Sequence, residues 1–228
     1  MGQRPQPQPI PLRTPPTAAR GRCWLLPNTP AAMHAMAPWL TGRDRLMARR
    51  HRFPERRRAF QLASALLRFA LTRYLDIAPR LLPLERRSQR RPRVRALRWA
   101  EPLSLSVAHT GKWVIAGVLP GGGRLGLDLE DAARPVSDAL TRRLPWPDDL
   151  VQPSLLQRWT LVEAALKADG RGLPALGDLE LTRTTDGEVT FRSGQLELRA
   201  APLNTVPGQA RIVAAVAVAT PLRAAPTP

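Results

Sequence analysis

From position 125 to position 130 the chain reads Leu-Gly-Leu-Asp-Leu-Glu, with leucine at every second place. Side chains two apart on an extended strand share a face. Leu125, Leu127 and Leu129 therefore face a core together, while Asp128 and Glu130 share the other side. A one-residue slip in pairing would exchange the two sets, so the segment fits only a sheet backed on one side by an apolar layer. The two carboxylates then stand about 7 Å apart and repel unless a positive charge lies between them. A hard, oxygen-seeking cation such as magnesium, shared with substrate phosphates, is one such partner. A solvated strand end bearing two surface acids has the same pattern, and the segment by itself leaves both readings open.

Around it the pattern predicts a mixture of helices and strands. Residues 22–27 form a candidate first strand. Pro54 and Glu55 mark a helix start, after which Phe60, Ala63, Leu67, Ala70, Leu71 and Tyr74 recur at three- and four-residue spacing up to Pro79. Period-two alternation appears at 103–107, and an apolar run at 113–119 precedes the turn Gly121-Gly122-Gly123. A proline-bearing connection leads to a helix over 155–168, with Ser154 as its cap and Gly170 as its stop. Further strands are predicted at 179–182, 189–192, 196–199 and 211–219. Without a regular strand–helix–strand alternation, the fold class expected is α+β.

The chain has 228 residues, 43% of them apolar, enough to bury a sizeable core. No run approaches the roughly 18 apolar residues a membrane helix requires. Cys23 is the single cysteine, which excludes an internal disulfide and a cysteine-built metal site and points to a cytoplasmic setting. Residues 1–21, rich in proline and arginine and lacking the apolar core of a secretory signal, are expected to form a disordered tail. The net charge is +17 and is lopsided. Residues 1–100 hold 22 arginines against 4 acids, whereas residues 101–228 hold 13 basic residues against 14 acids. A basic half implies an anionic partner: nucleic acid, a phosphorylated cofactor or an acidic protein.

On the helix over 155–168, Trp159, Glu163 and Lys167 are four apart and form one stripe, with Leu155, Leu156, Val162 and Leu166 supplying most of the core face. Glu163 with Lys167 is also an ordinary surface pair in its favoured orientation, and Trp159 a plausible core residue. His109 follows a strand at the turn Ala108-His109-Thr110-Gly111.

Taken in order, the segments His109-Thr110-Gly111-Lys112-Trp113, Gly126-Leu127-Asp128-Leu129-Glu130 and Trp159-Thr160-Leu161-Val162-Glu163-Ala164-Ala165-Leu166-Lys167 resemble the 4'-phosphopantetheinyl transferases, in particular the larger surfactin-synthetase-activating type. That family carries a hydrophobic-Gly-hydrophobic-Asp-hydrophobic-Glu strand, followed thirty to forty residues later by Trp-x-x-Lys-Glu-Ala-x-x-Lys; here Asp128 and Glu163 are 35 apart. The likeness also takes in a basic stretch and Leu66-Leu67-Arg68, and so spans roughly 22–220. It implies a pseudo-twofold monomer of two similar α+β halves, 22–120 and 121–228, with the active site between them. The first half would contact coenzyme A and the carrier protein, and the second would bring the metal-binding strand and the Trp-Glu-Lys helix. It further implies that Asp128, Glu130 and Glu163 hold magnesium on the pyrophosphate of coenzyme A. Lys167, His109, Arg68 and Arg91 would contact the cofactor, Arg68 at the 3'-phosphate, and Glu163, Lys167 and Asp128 would carry the catalysis. The acceptor implied is a serine of an apo acyl or peptidyl carrier protein, with Glu163 as base.

Three positions depart from the family pattern. Ala108-His109-Thr110 replaces Ser-His-Ser, Val162 replaces the lysine before the helix glutamate, and Arg90-Arg91-Pro92 replaces Gly-Lys-Pro. All three bear on cofactor contacts rather than on the carboxylates. A nucleic-acid-binding module would also account for the charge. However, aromatic residues are only 5% of the chain and do not interleave with the basic runs as stacking platforms would. A member that binds carriers without transfer ranks below the enzyme, because all three carboxylates are present.

Overall fold

The computed structural model describes residues 7, 10–12, 20–86, 91–95, 101–146, 153–185, 187–203 and 212–222. The chain is a mixture of α and β elements. β1 (Ile10–Pro11) and β2 (Arg22–Pro27) are followed by α1 (Pro30–Met36), a 3-10 turn at Ala37–Trp39, α2 (Gly42–Ala48) and α3 (Pro54–Leu71). β3 (Leu84–Glu85) pairs with β4 (Arg93–Val94) in a two-residue ladder. Then come β5 (Leu103–His109), β6 (Trp113–Pro120), β7 (Arg124–Asp131), α4 (Asp138–Thr141) and α5 (Leu155–Asp169). A 3-10 turn at Leu173–Asp178 leads to β8 (Glu180–Thr185), β9 (Glu188–Ser193), β10 (Leu196–Pro202) and β11 (Ile212–Pro221).

Two antiparallel sheets result, in the orders β1-β2-β6-β5 and β7-β11-β10-β9-β8. α3 lies over the first and α5 over the second. α3 starts at Pro54, whose fixed φ suits a first helical turn, and buries an almost continuous run from Ala59 to Leu71. Short α1 and α2, which the arginine-rich sequence disguised, brace it. α2 is held by a reciprocal capping box between Thr41 and Asp44. α5 has a second box, Ser154 with Gln157, and ends where Gly170 takes a φ of 90°, as its sequence predicts.

The two sheets meet edge to edge at β5 and β7. The outward amides of Leu125 and Leu127 donate to the hydroxyls of Ser104 (2.8 Å) and Ser106 (2.9 Å), so side chains of one edge strand satisfy the backbone of the other. Beneath this seam Leu125, Leu127 and Leu129 pack with Cys23, Ile115, Leu119, Val216 and Val218. The leucines therefore fill the core between the sheets. The opposite face of β7 is also covered, because α5 lies on it. Gly126 permits that contact: a Cβ there would stand 1.9 Å from the carbonyl oxygen of Ala164 and 2.6 Å from the amide nitrogen of Ala168.

Within the segment expected to be a tail, Ile10–Pro11 pairs with β2 and Leu12 is fully buried, so these three residues belong to the fold. Proline is tolerated there because β1 is an edge strand. The rest of 1–21, apart from Pro7, Arg20 and Gly21, lies outside the described residues, as do Arg90 and the remainder of the second basic run beyond 86 and 91–95.

Candidate active site

β7 and α5 bring the acids together. Asp128 and Glu130 alternate on the face of β7 that α5 covers, and Glu163 lies on the helix above them. One carboxylate oxygen from each lies within 4.8 Å of the others. Asp128 and Glu130 are only 3% and 6% exposed, so the shared face is buried under the helix instead of open to water. Three carboxylates at this spacing need cations. Lys167 Nζ reaches Asp128 Oδ1 at 2.5 Å, and Arg134 pairs with Glu130. Asp128 Oδ2 is buried and has no hydrogen-bond partner. Burial, reinforced by the charge of Asp128 and against the pull of Lys167, pushes the Glu163 carboxyl up to about 8. Burial would lower the Lys167 ammonium, but Asp128 and Glu163 outweigh it and hold the group above its usual value. An unsatisfied buried acceptor beside two convergent carboxylates is the donor set of an oxygen-ligated divalent cation, so these residues fit a metal.

The triad lies in a cleft of about 670 Å³ whose other walls are basic. Arg56 and Phe60 of α3, Arg86 and Arg91 beside the β3–β4 ladder, and His109 at the end of β5 all line it. Partial burial, then Lys167 and the nearby arginines, lowers the His109 imidazole, which is neutral at physiological pH. Arg91 also binds the carbonyl oxygens of Leu125 and Lys167, stitching β7 to the C-terminal turn of α5, and burial with Arg124 and Arg93 lowers it to about 10. One cleft thus offers a cation site and a set of anion contacts.

No family model matches the chain. It is 31% identical over 215 residues to the 4'-phosphopantetheinyl transferase HetI of Nostoc sp. (strain PCC 7120), with 86% of each chain covered. The chain belongs to the 4'-phosphopantetheinyl transferases. The protein slr0495 of Synechocystis sp. (strain PCC 6803), provisionally named to the same class, is 27% identical over 161 residues, covering 66% of this transferase and 65% of its own length.

Of the positions that the sequence singles out in the transferase, the cleft brings together Asp128, Glu130, Glu163, Lys167, His109 and Arg91. Arg68 is not among the cleft residues. Its side chain is buried on α3, with Nε on Asp44 (2.9 Å) and Nη1 on the carbonyl oxygens of Pro79 and Leu82, so its donors hold α2 and the chain after α3 in place. Trp159 is core, against the stripe reading, while Glu163 and Lys167 of that stripe do face the cleft. Sequence reasoning passed over Arg56, His51, Arg86 and Arg134, each an unremarkable member of a basic run until the fold selects it. Arg86 lies over Phe60 (4.4 Å to the ring centroid), and its guanidinium is lowered to about 10 by burial.

Proposed function

We propose that the transferase moves the 4'-phosphopantetheine arm of coenzyme A to a serine of an apo acyl or peptidyl carrier protein, using Asp128, Glu130 and Glu163 to hold magnesium. The observation that carries this reading is the convergence of three carboxylates from β7 and α5 in a cleft otherwise walled by cations. A divalent ion there would neutralise charge on the cofactor pyrophosphate. The serine oxygen forms a bond to the β-phosphorus, the bond from that phosphorus to the bridging oxygen breaks, and adenosine 3',5'-bisphosphate leaves. Glu163 accepts the serine proton. Its carboxyl, poised near 8, matches the task of a base working at neutral pH. Lys167 and the neutral His109 support charge growing on the departing phosphate, and Asp128 keeps Lys167 in position. Because Arg68 is engaged with Asp44, the 3'-phosphate contact is assigned to Arg86 and Arg56, with Arg91 nearer the nucleotide.

Each half places one long helix over an antiparallel sheet, which supports a pseudo-twofold α+β monomer divided near residue 121. Among the described residues no helix is long and apolar enough to cross a membrane. The single buried cysteine suits a cytoplasmic enzyme.

Intact-mass measurement of an apo carrier protein after incubation with the transferase, coenzyme A and magnesium tests the reaction. A gain equal to one phosphopantetheine arm, lost with chelator, is the expected result; coenzyme A binding with no gain on any carrier type would overturn it. The metal assignment has its own test. Glu163 must lose its proton to ligate, so divalent-cation affinity measured by calorimetry should rise from pH 6.5 to pH 8.5, with about one proton released per ion near neutrality. A flat affinity profile would remove Glu163 from the ligand set.

A further inference from the structure

The corner between α2 and α3 is loaded with charge that the chemistry above does not use. Positions 43–57 contain seven exposed arginines, and none is paired with an acid among the described residues. The only acids there are Asp44, buried against Arg68, and Glu55. The same corner exposes Leu46 (61%) and Phe53 (53%), two of the four large apolar side chains left open to solvent among the described residues. A groove of about 440 Å³ adjoins it, with Met33 and Pro54 in its wall and Arg45 and Arg57 beside them. Like charges crowded on one face cost stability and are kept where a partner of opposite sign uses them. An apolar anchor within a charged rim is the anatomy of a protein-docking face.

Resting on the transfer reaction proposed above, we infer that this corner is the docking face for the acidic carrier domain that supplies the acceptor serine. Its position supports the assignment. Arg56 and His51 belong both to this segment and to the cleft wall, so a domain seated on the corner stands at the mouth leading to Glu163. Nucleic acid fits less well. Phe53 is the one Phe, Tyr or Trp between positions 43 and 58, and the Arg56 guanidinium already lies over its ring (5.7 Å to the centroid), leaving no row of stacking platforms.

The test uses the full chain carrying Arg49→Glu, Arg50→Glu and Arg52→Glu together, and Phe53→Ala separately, all exposed positions outside the cleft lining. The triple variant should raise the KM for apo carrier at least about tenfold, with kcat at saturating carrier, coenzyme A affinity and Tm unchanged. Phe53→Ala should raise KM by a smaller factor and without the salt dependence that the wild type shows. Binding of a fluorescent apo carrier, measured by anisotropy without coenzyme A, should fall in parallel. That readout separates docking from transfer: if the wild type captures the carrier through these arginines yet transfers nothing, the docking face stands and the reaction fails. A carrier KM and affinity within about twofold of wild type in the triple variant would overturn the inference. So would a wild type that binds no carrier, or loss of duplex-DNA affinity with carrier binding intact.

Discussion

Glu163→Gln should lower the transfer rate by about a thousandfold or more and, in the same protein freed of metal, raise Tm at pH 7.5 by roughly 2–8 °C. The two effects share one cause. The fold places Glu163 within reach of Asp128 and Glu130 and away from water, and its carboxyl is pushed from 4.5 up to about 8. The folded form therefore holds the proton to about pH 8, whereas the unfolded chain releases it near 4.5. With the folded value raised, this group's favourable contribution is complete below about 4.5 and is lost as pH rises through 8. Glutamine keeps the shape and removes that dependence, so the metal-free variant should be more stable and show a flatter Tm profile between pH 5 and pH 8. Catalysis loses both a ligand and the base. Transfer assays with mass detection and thermal unfolding in chelator make the comparison. Transfer within tenfold of wild type would remove Glu163 from the chemistry, and an unchanged Tm profile would show that the carboxylates do not strain the fold. Stability given up to hold an active constellation is a common feature of enzyme sites.

Why Glu163 was legible in the sequence and Arg86 was not follows from the range over which each pattern acts. Alternation at 125–130 and the four-residue spacing of Glu163 and Lys167 are local, so the strand, the helix and the faces bearing the acids could be read directly. That those faces meet is a tertiary fact, and only the resemblance supplied it. Ser104 and Ser106 look like the solvated side of an alternating strand, yet they bond the amides of Leu125 and Leu127 across the seam. Arg68 looks like any helix arginine near a basic run, and its burial against Asp44 depends on the unforeseen α2. Arg56 and Arg86 differ from their neighbours only in where the chain carries them. α1 and α2 were missed because short helices in a stretch dominated by arginine and proline show little apolar periodicity.

Gly126→Ala should destabilise the transferase by about 3 kcal/mol or more, lowering Tm by roughly 6–12 °C, and should weaken divalent-cation binding in whatever folded protein remains. Gly126 lies between the leucines of β7 on the side that carries the carboxylates, and α5 rests directly on its Cα. The added methyl would meet the Ala164 carbonyl oxygen at 1.9 Å and the Ala168 amide nitrogen at 2.6 Å. Both are main-chain atoms inside a helix that is itself buried against β7, β10 and β11, so no side chain can swing aside. Relief requires α5 to lift from β7, and that motion separates Glu163 and Lys167 from Asp128 and Glu130. Gly117→Ala is the control: its methyl would meet Leu127 Cδ1 at 2.7 Å and Leu125 Cδ2 at 3.0 Å, which are side-chain tips able to shift, so the loss there should be smaller. Calorimetric unfolding of both variants with a cation titration decides the matter. Equal small losses, with cation affinity intact in Gly126→Ala, would mean that helix and strand do not meet as closely as the carboxylate triad requires.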